Sequence, residues 1–76
     1  MDERIKNILA AIFFMDAKDV GDDASPETVE VWDSLKHMNI VLALEDEFGI
    51  RFEDDEIVEL MSYKGIRKLV QFKLNA

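Results

Sequence analysis

The chain has 76 residues, of which 17 are acidic and 9 are basic, so its formal net charge is −8. This length is near the lower limit for a self-sufficient core, and we expect one domain over residues 1–76 without a deep enzyme pocket. The negative charge disfavours nucleic acid and anionic membranes as partners and favours proteins with basic surfaces. The sequence has no cysteine, which excludes disulfides and thiolate metal ligands.

The start of the sequence, Met1-Asp2-Glu3, lacks the basic residues of a signal peptide. The longest apolar run, residues 8–15, is too short to span a bilayer, which takes about 20 residues. We therefore expect a cytoplasmic protein that does not insert into membranes. We also expect it to be a monomer.

The first predicted element is an amphipathic helix over residues 3–14. Apolar residues recur there at helical spacing, namely Ile5, Ile8, Leu9, Ile12 and Phe13. From residue 15 to residue 32 the apolar residues no longer recur at helical spacing. This segment therefore predicts a long loop with one short turn begun by Ser25-Pro26. Such loops usually fold over the core or carry function. The residues expected to pin it to the bundle are Val20, Val29, Val31 and Trp32.

Part of this loop has the outline of a calcium-binding loop. Asp16, Gly21 and Glu27 stand at its first, sixth and twelfth positions. Lys18 and Val20, however, occupy positions where the ion needs oxygen ligands. We expect no specific metal site.

A second helix is predicted over residues 34–48, with Asp33 and Ser34 at its start and Gly49 as its left-handed end. Ser34 then lies in the first turn, where unpaired N–H groups and the helix dipole would stabilise a phosphate on its hydroxyl. The alternative is that Ser34 only caps the helix. The apolar positions expected to face the core are 35, 38, 41, 42, 44 and 48.

Asp33, Ser34 and His37 are also the residue types of a hydrolytic triad. They fall within five consecutive positions at one helix start, whereas a triad needs its base held between nucleophile and acid beside oxyanion donors. We expect no catalytic residue here, and we place His37 at the surface or rim of the helix.

Two further helices are predicted after Phe52. Acids at 53–56 begin a short helix that carries Ile57, Leu60 and Met61, and Ser62 caps a last helix. The core positions of that last helix are Tyr63, Ile66, Leu69 and Val70. The predicted fold class is all-α: a small bundle of three main helices plus one short helix, with a long loop between the first and second helices.

Two segments, Asp33-Ser34-Leu35 and Leu44-Glu45-Asp46-Glu47-Phe48-Gly49, resemble the acyl carrier protein family at this spacing and domain size. The resemblance covers nearly the whole chain. It implies that a phosphopantetheinyl transferase attaches 4'-phosphopantetheine from coenzyme A to Ser34, with Asp33 and Leu35 as its motif neighbours. It also implies a carrier, not an enzyme, whose arm holds an acyl group as a thioester for acyl-loading and acyl-accepting enzymes.

The resemblance further implies an apolar cleft for the acyl chain and a docking surface on the second helix. The expected cleft residues are Met38, Val41, Leu42, Phe52, Ile57, Leu60 and Met61. The expected docking residues are Lys36, Asn39, Glu45 and Asp46.

Three residues depart from the pattern of carriers in fatty acid synthesis. Lys36 and Asn39 stand where those carriers often have acids, and Val31 stands where they commonly have glycine. These departures favour a specialised lipid or polyketide-type pathway. A peptidyl or aminoacyl carrier is an alternative, although such carriers more often have a glycine-rich approach to the serine. A cofactor-free acidic helical interaction module is the alternative from another class of function.

Overall fold

A computed structural model describes residues 2–75 as an all-helical fold without strands in that range, as predicted. The helices are α1 (Asp2–Phe13), α2 (Ser34–Phe48), α3 (Asp54–Ile57) and α4 (Tyr63–Asn75). Short 3-10 turns cover Ala17–Asp19 and Val58–Leu60. The three main helices, the short helix and the long loop between α1 and α2 are confirmed. Across residues 2–75, no helix is both long and apolar enough to cross a membrane.

The core lies where α1 packs against α2 and α4. Helix α1 supplies Ile5, Leu9 and Phe13, which are all buried as predicted, whereas Ile8 and Ile12 are half-buried at its edge. Helix α4 supplies Tyr63, Ile66 and Val70, which are also buried. The other buried apolar residues are Ala10, Val20, Ala24, Trp32, Ile40, Val41, Leu44, Phe52 and Leu60.

Helix α1 ends one residue before the predicted position. Phe14 follows it with a φ of 58°, in the left-handed region where glycine is usual at helix ends. The N–H of Met15 donates to the carbonyl of Ala10 at 3.0 Å, which closes the helix end. For a residue with a side chain, this backbone conformation costs about 1–2 kcal/mol.

The loop between α1 and α2 is packed onto the bundle, as predicted. Val20 and Trp32 are buried, and the Trp32 ring lies 5.3 Å from the Phe13 ring between centroids. The turn at Ser25 is confirmed by the N–H of Val29, which donates to the Ser25 carbonyl at 2.8 Å. The prediction for Val31 is wrong: it is exposed, because its neighbour Trp32 takes the inward position.

Helix α2 carries two apolar stripes, whereas a single core-facing stripe was predicted. The buried stripe consists of His37, Ile40, Val41 and Leu44. The exposed stripe consists of Leu35, Met38 and Leu42, for which core positions were predicted wrongly. Both sets have helical spacing, so periodicity could not decide which one meets α1. The helix ends as predicted at Gly49, which has a φ of 64°.

Polar contacts join the start of α3 to the last turn of α4 and cap the start of α4. The N–H of Glu53 donates to the Glu56 carboxylate at 2.8 Å, and Lys73 of α4 forms an ion pair with the same carboxylate at 2.8 Å. The Ser62 hydroxyl accepts from the N–H of Gly65 at 3.0 Å, which confirms the predicted cap of α4. A side chain at position 65 would collide with the carbonyl oxygen of Glu59, so glycine lets α4 pack closely on this turn.

Candidate functional site

Ser34 is the first residue of α2, and its side chain is exposed. Asp33 caps the helix: its Oδ1 accepts a hydrogen bond from the N–H of Lys36 at 2.8 Å. The alternative that Ser34 acts as the cap is therefore wrong, and its hydroxyl is left for other chemistry. The adjoining helix start offers unpaired N–H groups and the positive end of the dipole, which suit a phosphodiester.

The three serines of the chain differ in what holds their hydroxyl groups. The Ser25 hydroxyl accepts from the N–H of Glu27 at 3.2 Å, and the Ser62 hydroxyl accepts from Gly65. Ser34 Oγ makes no hydrogen bond to another group within residues 2–75. Among the serines, Ser34 thus has the side chain most open to modification.

His37 is buried, which corrects its predicted place at the helix rim. The indole N–H of Trp32 donates to His37 Nδ1 at 3.1 Å. Because an indole nitrogen can only donate, Nδ1 must accept, and Nε2–H then donates to the Ile57 carbonyl at 2.8 Å. The imidazole therefore links the long loop, α2 and α3. With both nitrogens engaged, it is not placed to act as a base for Ser34.

An open groove of about 400 Å³ lies beside Ser34. Its lining residues are Trp32, Asp33, Ser34, His37, Met38 and Met61. The groove has the size of a typical small-molecule site. Met38 and Met61 are the predicted cleft residues that line it. Sequence reasoning did not assign Trp32 and His37 to this cleft. The single tryptophan two positions before Ser34, with a histidine three positions after it, was the available signal.

The remaining predicted cleft residues do not line this groove. Val41, Phe52 and Leu60 are buried in the core, and Ile57 is half-buried against it. Leu42 is 60% exposed, on the outer stripe of α2.

The predicted docking residues have different surroundings. Lys36 is half-buried, with its ammonium 5.5 Å from the centroid of the Phe14 ring, whereas Asn39 and Asp46 are exposed. The Glu45 side chain is only 14% exposed. It accepts from the N–H of Phe52 at 2.9 Å and lies 3.6 Å from Arg51, so its carboxylate is used mainly within the fold.

Metal binding finds no support in the part of the chain that the structure describes. No group of three or more His, Asp or Glu side chains in residues 2–75 is arranged to hold an ion. This range includes the loop segment 16–27 that has the outline of a calcium site.

Comparisons with known proteins agree with this geometry. The family described as Phosphopantetheine attachment site matches residues 3–72. Polyketide-8 synthase acyl carrier protein 2 of Streptomyces avermitilis is 33% identical over 73 residues, which cover 95% of this chain and 83% of that protein. An acyl carrier protein of Petrotoga mobilis is 32% identical over 73 residues, or 96% of this chain and 86% of that protein. An acyl carrier protein of Thermosynechococcus vestitus is 30% identical over 74 residues, which cover 97% of this chain and 91% of that protein.

The helical fold is that of a carrier protein with a covalently attached prosthetic group. The chain belongs to the acyl carrier protein family, whose members have a phosphopantetheine attachment domain. Proteins of this family are carriers, not catalysts, and they bear 4'-phosphopantetheine. They interact with a phosphopantetheinyl transferase and with the enzymes that load and unload the arm.

Proposed function

We propose that this single carrier domain bears 4'-phosphopantetheine on Ser34 and presents an acyl thioester to partner enzymes. The observation that supports this site most directly is the exposed Ser34 hydroxyl at the start of α2, without a hydrogen-bond partner within residues 2–75. Asp33 supports it by capping the helix, so Ser34 need not do so. When attached, the arm supplies a terminal thiol, which the cysteine-free chain lacks.

The groove beside Ser34 is proposed to receive the arm and the first part of the acyl chain. Two different elements each contribute a methionine to the lining of this groove. Met38 lies in α2, and Met61 follows the 3-10 turn at Val58–Leu60. Their flexible side chains can adapt to occupants of different shape. Each methylene that becomes fully buried contributes about 0.8 kcal/mol, so partial shelter competes with exposure to water.

A specialised lipid or polyketide-type pathway is the proposed setting. Residues 34–44 contain no acid, and Lys36 adds a positive charge two positions after the serine. One similar protein is named as a carrier of a polyketide synthase. Partners that rely on acidic residues close to the serine should therefore recognise this chain poorly.

Partners with basic surfaces are proposed to approach over the last turn of α2. Asp46 and Glu47 are exposed there, although Glu47 also forms an ion pair with Arg4 at 2.8 Å. Lys36 and Asn39 are proposed to select among partners nearer the serine. Such contacts set encounter rate and selectivity more than affinity.

Intact mass measured after incubation with coenzyme A and a broad-specificity phosphopantetheinyl transferase tests the site. We expect the wild-type chain to gain one arm and Ser34→Ala to gain none. Ser25→Ala and Ser62→Ala are matched controls that should each gain one. A wild-type chain without added mass, or an arm retained by Ser34→Ala, would contradict the proposal.

A further inference from the structure

Helix α4 carries a second apolar stripe, beside the one that faces the core. It consists of Gly65, Leu69 and Phe72, which share one face of the helix because they are four and three residues apart. Together with Lys68 of the same helix and Glu59 of the preceding 3-10 turn, they line an open groove of about 240 Å³. This groove shares no lining residue with the groove beside the candidate attachment site.

The two ends of this stripe have complementary shapes. Phe72 is 67% exposed, so most of its ring faces solvent. Gly65 has no side chain, and a Cβ at this position would collide with the carbonyl oxygen of Glu59, so this end of the stripe stays open. One face of α4 therefore offers both a large exposed ring and a gap that can receive such a ring.

A second copy of the chain brings the ring and the gap together when the two α4 helices pack antiparallel. In a two-fold interface every contact occurs twice with the roles exchanged. An arrangement that places Phe72 of one copy over Gly65 of the other therefore also places Gly65 of the first under Phe72 of the second. The two-fold axis then passes between positions 68 and 69, so the Leu69 side chains of the two copies lie close to it.

The charges around α4 permit this approach. Each copy has a net charge of −8, so two copies repel one another as wholes. Beside α4, however, five basic and four acidic residues leave a local charge of +1. A close approach through this face avoids the acidic surfaces. The residues counted are Lys6, Lys64, Arg67, Lys68 and Lys73, with Asp2, Asp22, Glu56 and Glu59.

We infer that this face of α4 is an interface between two copies of the chain, which form a weak antiparallel dimer. The Phe72 ring of each copy packs over Gly65 of the other. A single helix pair is smaller than the interfaces of about 1,200–2,000 Å² in stable complexes, and we expect a Kd on the order of 0.1 mM. The dimer replaces the monomer expected from the sequence. It does not depend on the proposed function, because the unmodified chain contains the whole interface.

Sedimentation equilibrium of the unmodified chain tests the dimer. We expect the Kd to fall as salt rises, because salt screens the repulsion between two acidic copies. Phe72→Ala should raise the Kd at least tenfold, as for the loss of a central aromatic anchor. Phe14→Ala removes another exposed ring, at the end of α1, and should leave the Kd unchanged. The inference is overturned by a wild-type chain that stays monomeric well above the expected Kd, by equal Kd values for wild type and Phe72→Ala, or by a Kd that rises with salt.

Cross-linking tests the antiparallel arrangement separately. The chain has no cysteine, so a single one can be introduced at either of two exposed positions of α4. With the axis between positions 68 and 69, the thiols of Lys68→Cys are offset by about 1.5 Å along the helix axis, whereas those of Lys64→Cys are offset by about 13 Å. A short bis-maleimide should join Lys68→Cys into a covalent dimer and leave Lys64→Cys mostly monomeric. Equal cross-linking of the two variants would overturn the antiparallel pairing.

Discussion

The two apolar stripes of α2 consist of similar side chains in opposite surroundings. Ile40 and Leu44 are fully buried against α1, whereas Leu35 and Leu42 are 69% and 60% exposed. The buried stripe holds the bundle together. The exposed stripe begins one residue after Ser34, where an apolar surface is available to partner enzymes. Position relative to α1, more than hydrophobicity, assigns each stripe its role.

The largest expected effect comes from truncating one leucine of each stripe. Leu44→Ala removes a fully buried side chain and should lower the free energy of unfolding by about 2–5 kcal/mol. Leu42→Ala, its matched control on the exposed stripe, should change it by no more than about 0.5 kcal/mol. Urea unfolding of both variants gives the comparison. Equal losses in the free energy of unfolding for the two variants would show that Leu42 contributes to the core as much as Leu44 does.

The buried stripe contains one polar residue, His37, and the next expected effect tests its two hydrogen bonds. His37→Leu leaves the Trp32 indole N–H and the Ile57 carbonyl without their partner. A buried group left unpaired costs about 1–3 kcal/mol, and this cost falls mainly on the indole N–H, because Trp32 is buried whereas Ile57 is half-buried. We expect a loss in this range, measured by urea unfolding.

A double-mutant cycle with Trp32→Phe separates the hydrogen bond from the packing. Trp32→Phe removes the donor, so His37→Leu should cost less in that background than in the wild type. Strictly additive losses would show that the indole and the imidazole are not energetically coupled. The link from the long loop to α2 would then rest on ring packing alone.

Local signals in the sequence were enough to predict most of the fold. Asp33, Gly49 and Ser62 mark helix boundaries through contacts within a few residues, and the structure has all three as predicted. The end of α1 was placed one residue late because Phe14 occupies a left-handed position where glycine is the usual signal. The sequence carries no local warning of that conformation.

The surroundings of the site were harder to predict because they depend on tertiary packing. His37 was placed at the rim since a polar residue interrupts an apolar pattern, yet Trp32 and the Ile57 carbonyl supply its buried partners. Leu42 was assigned to the core because its spacing is helical, although α1 covers the neighbouring stripe. The start of α2 at Ser34 was predictable, because its capping residue Asp33 is adjacent in the chain.

A smaller effect on stability is expected at α3. His37 of the buried stripe contacts the Ile57 carbonyl at the end of this helix, and the Glu56 carboxylate accepts from the Glu53 N–H at its start. The hydrogen bond from the Glu53 backbone and then the Lys73 ammonium keep the pKa of Glu56 below its ordinary value of 4.5. Glu56 therefore stabilises the fold above that value, and this contribution is lost as pH falls through its lowered pKa.

Thermal melts between about pH 7 and pH 3 test this attachment. Glu56→Gln should be less stable than wild type near neutral pH, and its Tm should fall less steeply on acidification. Glu59→Gln, an exposed neighbour, is the control and should follow the wild-type curve. If Glu56→Gln also follows it, the carboxylate does not couple α3 to α4.

The smallest effect on stability is expected on the exposed side of α2, where only partner choice should change. Lys36→Glu combined with Asn39→Glu changes the local charge by three units without touching the buried stripe. Surface substitutions of this kind shift the free energy of unfolding by at most about 0.5 kcal/mol.

An acidic surface next to Ser34 should instead speed encounters with a basic acyltransferase of fatty acid synthesis, most clearly at low salt. The partner of the proposed specialised pathway should lose rate, because residues that suit one partner can exclude another. Acyl transfer by the fatty acid enzyme, measured for wild type and the double variant at low and moderate salt, decides the point. Equal rates at both salt concentrations would mean that Lys36 and Asn39 do not select partners, and the specialised-pathway proposal would lose its main support.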